Sequence, residues 1–283
     1  MTAAHQWVPV SPCGTRCIDR TSTVTFVTAV WRVLSMFALL AAFPIVNVAT
    51  PRSGRAGVQR GFARAAVRCC GVRLRVRDHR PGGGGRYAPP GVGVLVVAGH
   101  VSWLDVVVLA AVQPVGFVAR ADMTQWPVVG RLARRMRVIP IVRERLRELP
   151  AVVSEVGARL RAGERVAVFP EGTTWCGRST GRMRPALFQS AVDTGTPVQP
   201  VRLRYLDAGV KLSTVPGFVG DDSLVASIGR ILRTKGLVAE VILLPLQRPG
   251  TDRRDLAVRC ERAIDSDREI SIPVRLRPAL APS

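Results

Sequence analysis

The chain has 283 residues, 47% of them hydrophobic, which is enough apolar material for a sizeable core and excludes disorder of the whole; the length admits one large domain or two small ones. Lys plus Arg number 41 against 20 Asp plus Glu, a formal net charge of +21 that is nearly all arginine, because lysine occurs only at Lys211 and Lys235. Such a surface is drawn to anionic lipid headgroups or phosphate groups; nucleic acid is not expected as a partner, since aromatics make up 5% and no zinc-finger, RNP or KH signature appears.

Residues 1–23 read as an N-terminal tail. From Val24 to Ala49 the chain is apolar with Arg32 as its only charge, and the uninterrupted part, Val33 to Ala49, is 17 residues long, the short end of the about 17–25 that cross a bilayer core. Pro44 and Asn47 weaken its far end. A spanning helix, a re-entrant or interfacial helix pair, and a signal peptide all compete for this stretch, but no small-x-small cleavage site closes it. Membrane attachment through residues 24–50 is the expectation. Arg52, Arg55, Arg60, Arg64, Arg68, Arg73, Arg75 and Arg77 follow, so the positive-inside rule keeps the rest of the chain, a cell-membrane protein on this reading, facing the cytoplasm.

Residues 55–71 have the pattern of a basic amphipathic helix with Gly71 as its stop, and residues 79–91 that of a Gly/Pro loop. Val92 to Gly99 is a β-branched apolar run of the kind buried in a parallel sheet. Ser102-x-x-Asp105 then opens a helix ending near Val112. Strand patterns recur at 115–119, 137–142, 165–169, 198–205 and 239–246. Helical patterns lie between them at 150–162 closed by Gly163, at 185–194 closed by Gly195, and at 222–233 opened by Asp222. This alternation predicts an α/β fold with a mostly parallel central sheet flanked by helices, one domain over residues 51–265. Residues 266–283 read as a basic tail. The six cysteines, Cys13, Cys17, Cys69, Cys70, Cys176 and Cys260, show no CxxC pairing, and a reduced, cytosol-facing domain fits them.

Of three histidines, only His100 directly follows a buried-strand pattern, at the carboxyl end where open α/β sheets place ligands. Asp105, five residues on, meets it if His100 sits in the turn before the helix and Asp105 in the first helical turn. The carboxylate then fixes the ring tautomer and leaves the other nitrogen as a base. On spacing alone Asp105 equally reads as a capping-box residue and His100 as a bonded strand-end residue. A second strand-turn segment, VAVFPEGTTWCG (166–177), adds the carboxylate of Glu171 and the close approach that Gly172 permits.

Together these segments resemble the glycerolipid acyltransferases, typified by 1-acyl-sn-glycerol-3-phosphate acyltransferase. HVSWLD (100–105) is similar to the HxxxxD block and FPEGT (169–173) to the third block. Residues 116–144, containing Arg143, resemble the second block, VQPVRLRY (198–205) the fourth, and PGFVGDDSL (216–224) a downstream segment. The resemblance covers roughly residues 70–265. It implies His100 as general base on an acceptor hydroxyl, oriented by Asp105. It also implies Arg143, Glu171, Gly172 and Thr173 around the polar head of a lysolipid acceptor, with acyl-CoA or acyl-carrier-protein as donor and neither metal nor bound cofactor. Thr174-Trp175 stands where many lysophosphatidate enzymes have Arg-Ser, and FPEGTT is similar to the branch that includes lyso-ornithine lipid acyltransferases, so the acceptor stays open between 1-acyl-sn-glycerol-3-phosphate and another lysolipid. The contrasting class is a non-catalytic basic protein of membrane surfaces or nucleic acid, against which the intact His100, Asp105, Glu171 and Gly172 stand.

Overall fold

The computed structural model describes residues 9–121, 138–142 and 145–269. Helices α1 (Phe26–Ala49) and α2 (Arg55–Cys69) precede strands β1 (Arg73–Asp78) and β2 (Val94–Ala98). Then come α3 (Leu104–Val112), β3 (Gly116–Arg120), β4 (Ile139–Ile141), α4 (Leu149–Arg161), β5 (Arg165–Val168), α5 (Gln189–Thr194) and β6 (Val198–Asp207). The chain closes with β7 (Lys211–Leu212), α6 (Leu224–Arg233), β8 (Leu237–Leu243) and α7 (Arg253–Glu269). The sheet order is β1-β8-β6-β2-β5-β3-β4, with β7 attached to β6. Neighbours are parallel except for β6 with β8 and β6 with β7, so β1 and β8 run against the five strands from β6 to β4.

β2 lies at the centre, hydrogen-bonded to β5 and β6, and every one of its residues is buried. That is why it reads as an unbroken apolar run rather than an alternating one. Val94, Val96 and Ala98 pack with Val67 of α2 and with Leu104 and Val108 of α3. Leu95 and Val97 pack on the other face with Val152 and Val156 of α4 and Leu256 of α7. Helices thus cover both faces of the sheet, and the α/β expectation is met. Gly195 ends α5 at φ 63, the left-handed conformation that makes glycine a helix stop.

Four local features depart from the sequence reading. Arg73, Arg75 and Arg77, in sequence part of the positive run after the apolar stretch, belong to the edge strand β1, Arg73–Asp78, with an alternating burial pattern. Its Arg75 and Arg77, joined by Arg204, converge on the fully buried Glu240 of β8. The helix expected at 222–233 is capped by Ser223, whose Oγ accepts from the Ala226 N–H, while Asp222 pairs with Arg230. The C-terminal helix runs to Glu269, past the expected boundary at 265. Residues within the expected N-terminal tail are held on the domain: Cys13 is buried, Thr23 bridges Thr234, and Asp19 donates its N–H to the Thr214 hydroxyl, accepts the Thr214 N–H on its carboxylate and pairs with Arg178.

α1 has no buried residue and exposes Trp31, Leu34, Phe37 and Ile45 along one side. Both of its ends are nevertheless tied to the domain. Arg32 donates to the carbonyls of Leu232 and Thr234, each at 2.8 Å. Towards the other end Phe43 meets Phe62 of α2 edge-on at 5.2 Å, and Asn47 accepts from Gln59 of α2. The helix therefore lies along the domain as one arm of a hairpin with α2.

Candidate active site

The chain leaves β2 at Ala98, turns through Gly99 to Trp103, and re-enters a helix at Leu104. This turn removes the angular separation that a continuous helix would put between His100 and Asp105. His100 Nδ1 lies 2.8 Å from Asp105 Oδ2. The same oxygen accepts the backbone N–H groups of Val101 at 2.7 Å and Ser102 at 2.9 Å. The oxygen that meets the His100 ring thus also holds the backbone of the turn before the helix. Asp105 is fully buried, and burying a carboxylate is costly unless donors replace its water. The fourth donor is the hydroxyl of Tyr205, which reaches Oδ1 at 2.6 Å. Burial first, and the Asp105 charge beside it, hold the Tyr205 hydroxyl well above its ordinary pKa, so it remains a donor. Tyr205 ends the VQPVRLRY segment, where its strand alternation gave no sign of this role.

The His100 ring stacks on Phe169, the residue after β5, with centroids 4.0 Å apart and planes at 12°. Phe117 continues the stack behind Phe169 at 6.4 Å. The loop that follows Phe169 holds the His100 backbone from both sides. Glu171 Oε2 accepts the His100 N–H at 2.7 Å, and the Trp175 N–H donates to the His100 carbonyl at 2.7 Å. Glu171 is buried, and its Oε1 accepts the Gly181 N–H. In this structure its carboxylate secures the His100 turn to the loop. Gly172 adopts φ +74, and a Cβ there would lie 2.6 Å from the Cγ of Pro9, so both conformation and space require glycine. Thr174 donates to the carbonyl of Phe218.

His100, Phe169, Gly172 and Thr173 border a cavity of about 1750 Å³. Met36, Leu39, Leu40 and Phe43 of α1 form part of its wall, and Arg184 also lines it. His100 is 15% exposed there while Asp105 is sealed behind it. The arrangement offers a nitrogen base on an apolar chamber wide enough for an acyl chain, with a cation nearby. Of the residues singled out in the sequence, His100, Asp105, Glu171, Gly172 and Thr173 come together; Arg143 lies outside the described residues.

The Acyltransferase family model matches residues 83–204 of the chain, the span that carries this turn and loop. The lyso-ornithine lipid O-acyltransferase of Pseudomonas aeruginosa is 35% identical over 60% of this chain and 66% of its own length. The 1-acyl-sn-glycerol-3-phosphate acyltransferase of Neisseria gonorrhoeae is 37% identical over 56% of this chain and 62% of its own length. The chain thus matches a little under two thirds of the curated relatives' lengths. The solved structure of the 1-acyl-sn-glycerophosphate acyltransferase from Thermotoga maritima shares the fold, with a TM-score of 0.64 over 87% of this chain and 95% of that one, at 17% identity. Sequence blocks, sheet topology and matched relatives agree, and the chain belongs to the glycerolipid acyltransferase family.

Proposed function

We propose that the chain transfers a fatty acyl group from an acyl-CoA or acyl-carrier-protein thioester to the hydroxyl of a lysolipid, at a membrane surface and with His100 as general base. The observation that carries this reading is the 2.8 Å contact between His100 and a fully buried Asp105 at the rim of an apolar cavity. With Nδ1 bonded to the carboxylate, the remaining ring nitrogen takes the hydroxyl proton as the oxygen attacks the thioester carbonyl. The tetrahedral intermediate collapses, the C–S bond breaks, and the leaving thiolate takes the proton back from the imidazolium. The Asp105 charge stabilises that imidazolium while it exists. His100→Ala is expected to lower transfer of labelled acyl groups to a lysolipid by at least about 10²-fold; unchanged activity removes His100 from the mechanism.

For the acceptor, 1-acyl-sn-glycerol-3-phosphate is the first proposal, supported by the Neisseria relative and by Arg184 in the lining of the cavity, a guanidinium suited to a phosphate. Arg143, Glu171, Gly172 and Thr173 are proposed to surround its polar head, Glu171 and Gly172 by shaping the loop. A lyso-ornithine lipid acceptor is the second reading, favoured by Thr174-Trp175 after FPEGT and by the Pseudomonas relative. Competition between the two lysolipids, read by mass spectrometry of the products, separates them. Attachment is proposed through the exposed side of α1, lying in the lipid interface because both of its ends are fixed to the domain. The domain faces the cytoplasm on this reading.

A further inference from the structure

Cys13, Cys17 and Cys176 lie 159 or more residues apart across the two segments that supply them, yet their sulfurs are all within 4.8 Å of one another. A single 3₁₀ turn, Thr15–Cys17, folds Cys17 back beside Cys13. Cys176 comes from the loop that grips His100, one residue after Trp175. Cys13 and Cys176 are buried and Cys17 half-buried, enclosed by Ile18, Trp175 and Val219.

Three small side chains could meet as mere core packing. The hydrogen bonds argue for more than that. Cys176 accepts from the backbone N–H groups of Ser179 and Arg178 and is hydrogen-bonded with the Cys13 and Cys17 thiols. The Cys176 N–H in turn bonds Cys13. Backbone N–H groups aimed at sulfur compensate thiolate charge, as the surroundings of bound metals do. On a tetrahedral zinc, with Zn–S near 2.3 Å, neighbouring sulfurs sit about 3.8 Å apart, so closing this cluster requires movements of roughly 1 Å or less. Among the described residues it is the one group of three such ligands.

The geometry points to a structural site for one thiophilic divalent cation, of the zinc class, held by Cys13, Cys17 and Cys176 with a solvent molecule as fourth ligand. Binding releases the thiol protons to solvent and leaves a site of charge −1 in a chain whose formal net charge is +21. The site staples the segment from Pro9 to Ile18 onto the catalytic loop, which places Pro9 over Gly172 at the cavity rim.

The test uses the full chain in detergent, purified under reducing conditions, with metal content measured by mass spectrometry and Co(II) as a spectroscopic probe. One equivalent of zinc per chain is expected, along with a Co(II)–thiolate charge-transfer band of tetrahedral intensity. Cys17→Ser, at the half-buried ligand, is expected to weaken zinc binding at least about 10²-fold, whereas Cys69→Ser binds like the parent. Cys13→Ser and Cys176→Ser check the buried ligands, with circular dichroism confirming that each variant is folded. Substoichiometric zinc with all three thiols open to alkylation overturns the proposal. A disulfide among these cysteines in the purified protein overturns it as well. The readout is metal content, so it stands or falls separately from acyl transfer.

Discussion

Tyr205→Phe removes one hydroxyl and nothing else, at a site where its loss can be traced. The O–H reaches Asp105 Oδ1 at 2.6 Å, with both groups fully or almost fully buried. A hydrogen bond to a charged group contributes about 1.5–3 kcal/mol, and no water replaces it in a sealed core. For a domain of this size each kcal/mol moves Tm by roughly 2–4 °C, so a loss of about 3–12 °C is expected. Packing alone predicts only that loss. The positioning role predicts a second effect. With Tyr205 gone, the carboxylate that orients the His100 ring loses one of its four donors, so on the proposed mechanism the base is held less firmly. The kcat of Tyr205→Phe should therefore fall while the KM for either substrate changes little, measured by acyl transfer into lysolipid micelles. A destabilised variant with unchanged kcat would sink the positioning part of the argument. A variant with unchanged Tm would deny the hydrogen bond itself.

Asp78 accepts from Arg80 and from the Gly85 N–H, and the Arg80 bonds, against the opposing effect of burial, hold its carboxyl down at about 2 against an ordinary 3.8. Its stabilisation is present above pH 3.8 and lost as pH falls through 2, about 2 kcal/mol in all; Asp78→Asn should flatten the acid limb of a denaturant-midpoint profile across that window. Replacing Leu34 and Phe37 of α1 with lysine removes two large exposed apolar groups, each contributing about 1.5–3 kcal/mol when buried in lipid. Vesicle flotation should show at least a 10²-fold weaker partition, and undiminished flotation would shift attachment to α2 or the arginine-rich surface. Arg143→Ala should raise the acceptor KM more than the donor KM in steady-state transfer assays, and an effect confined to the donor reverses its assignment.

The central strand and the His100 turn were legible because burial on both faces leaves a continuous apolar run, and a turn at its carboxyl end leaves few places for a histidine. Other features were hidden for physical reasons. β1 carries Leu74 and Val76 at the period of two, but arginines fill the positions between them, and their buried counter-charge, Glu240, is 163 or more residues away. Tyr205 reads as one more strand residue until the fold places it against Asp105. Asp222 looked like the opener of α6, but a neighbouring serine serves as well in the sequence, and only the geometry shows that Ser223 caps while Asp222 meets Arg230. The three-cysteine cluster has no local spacing to find, since α1, three further described helices and strands β1 to β5 separate its third member from the other two.

The stack of His100 on Phe169, backed by Phe117, bears on the order of events in a turnover. The imidazole lies flat on a phenyl ring and is tied through Nδ1 to Asp105, which leaves one ring nitrogen outside that tie. On the proposed mechanism this nitrogen both receives and returns the proton. Acceptor oxygen and departing sulfur then come within reach of that single atom in succession, while both substrates are still bound. Double-reciprocal plots of rate against either substrate should then intersect, the pattern of a ternary complex, and parallel lines would speak for a covalent relay through the protein.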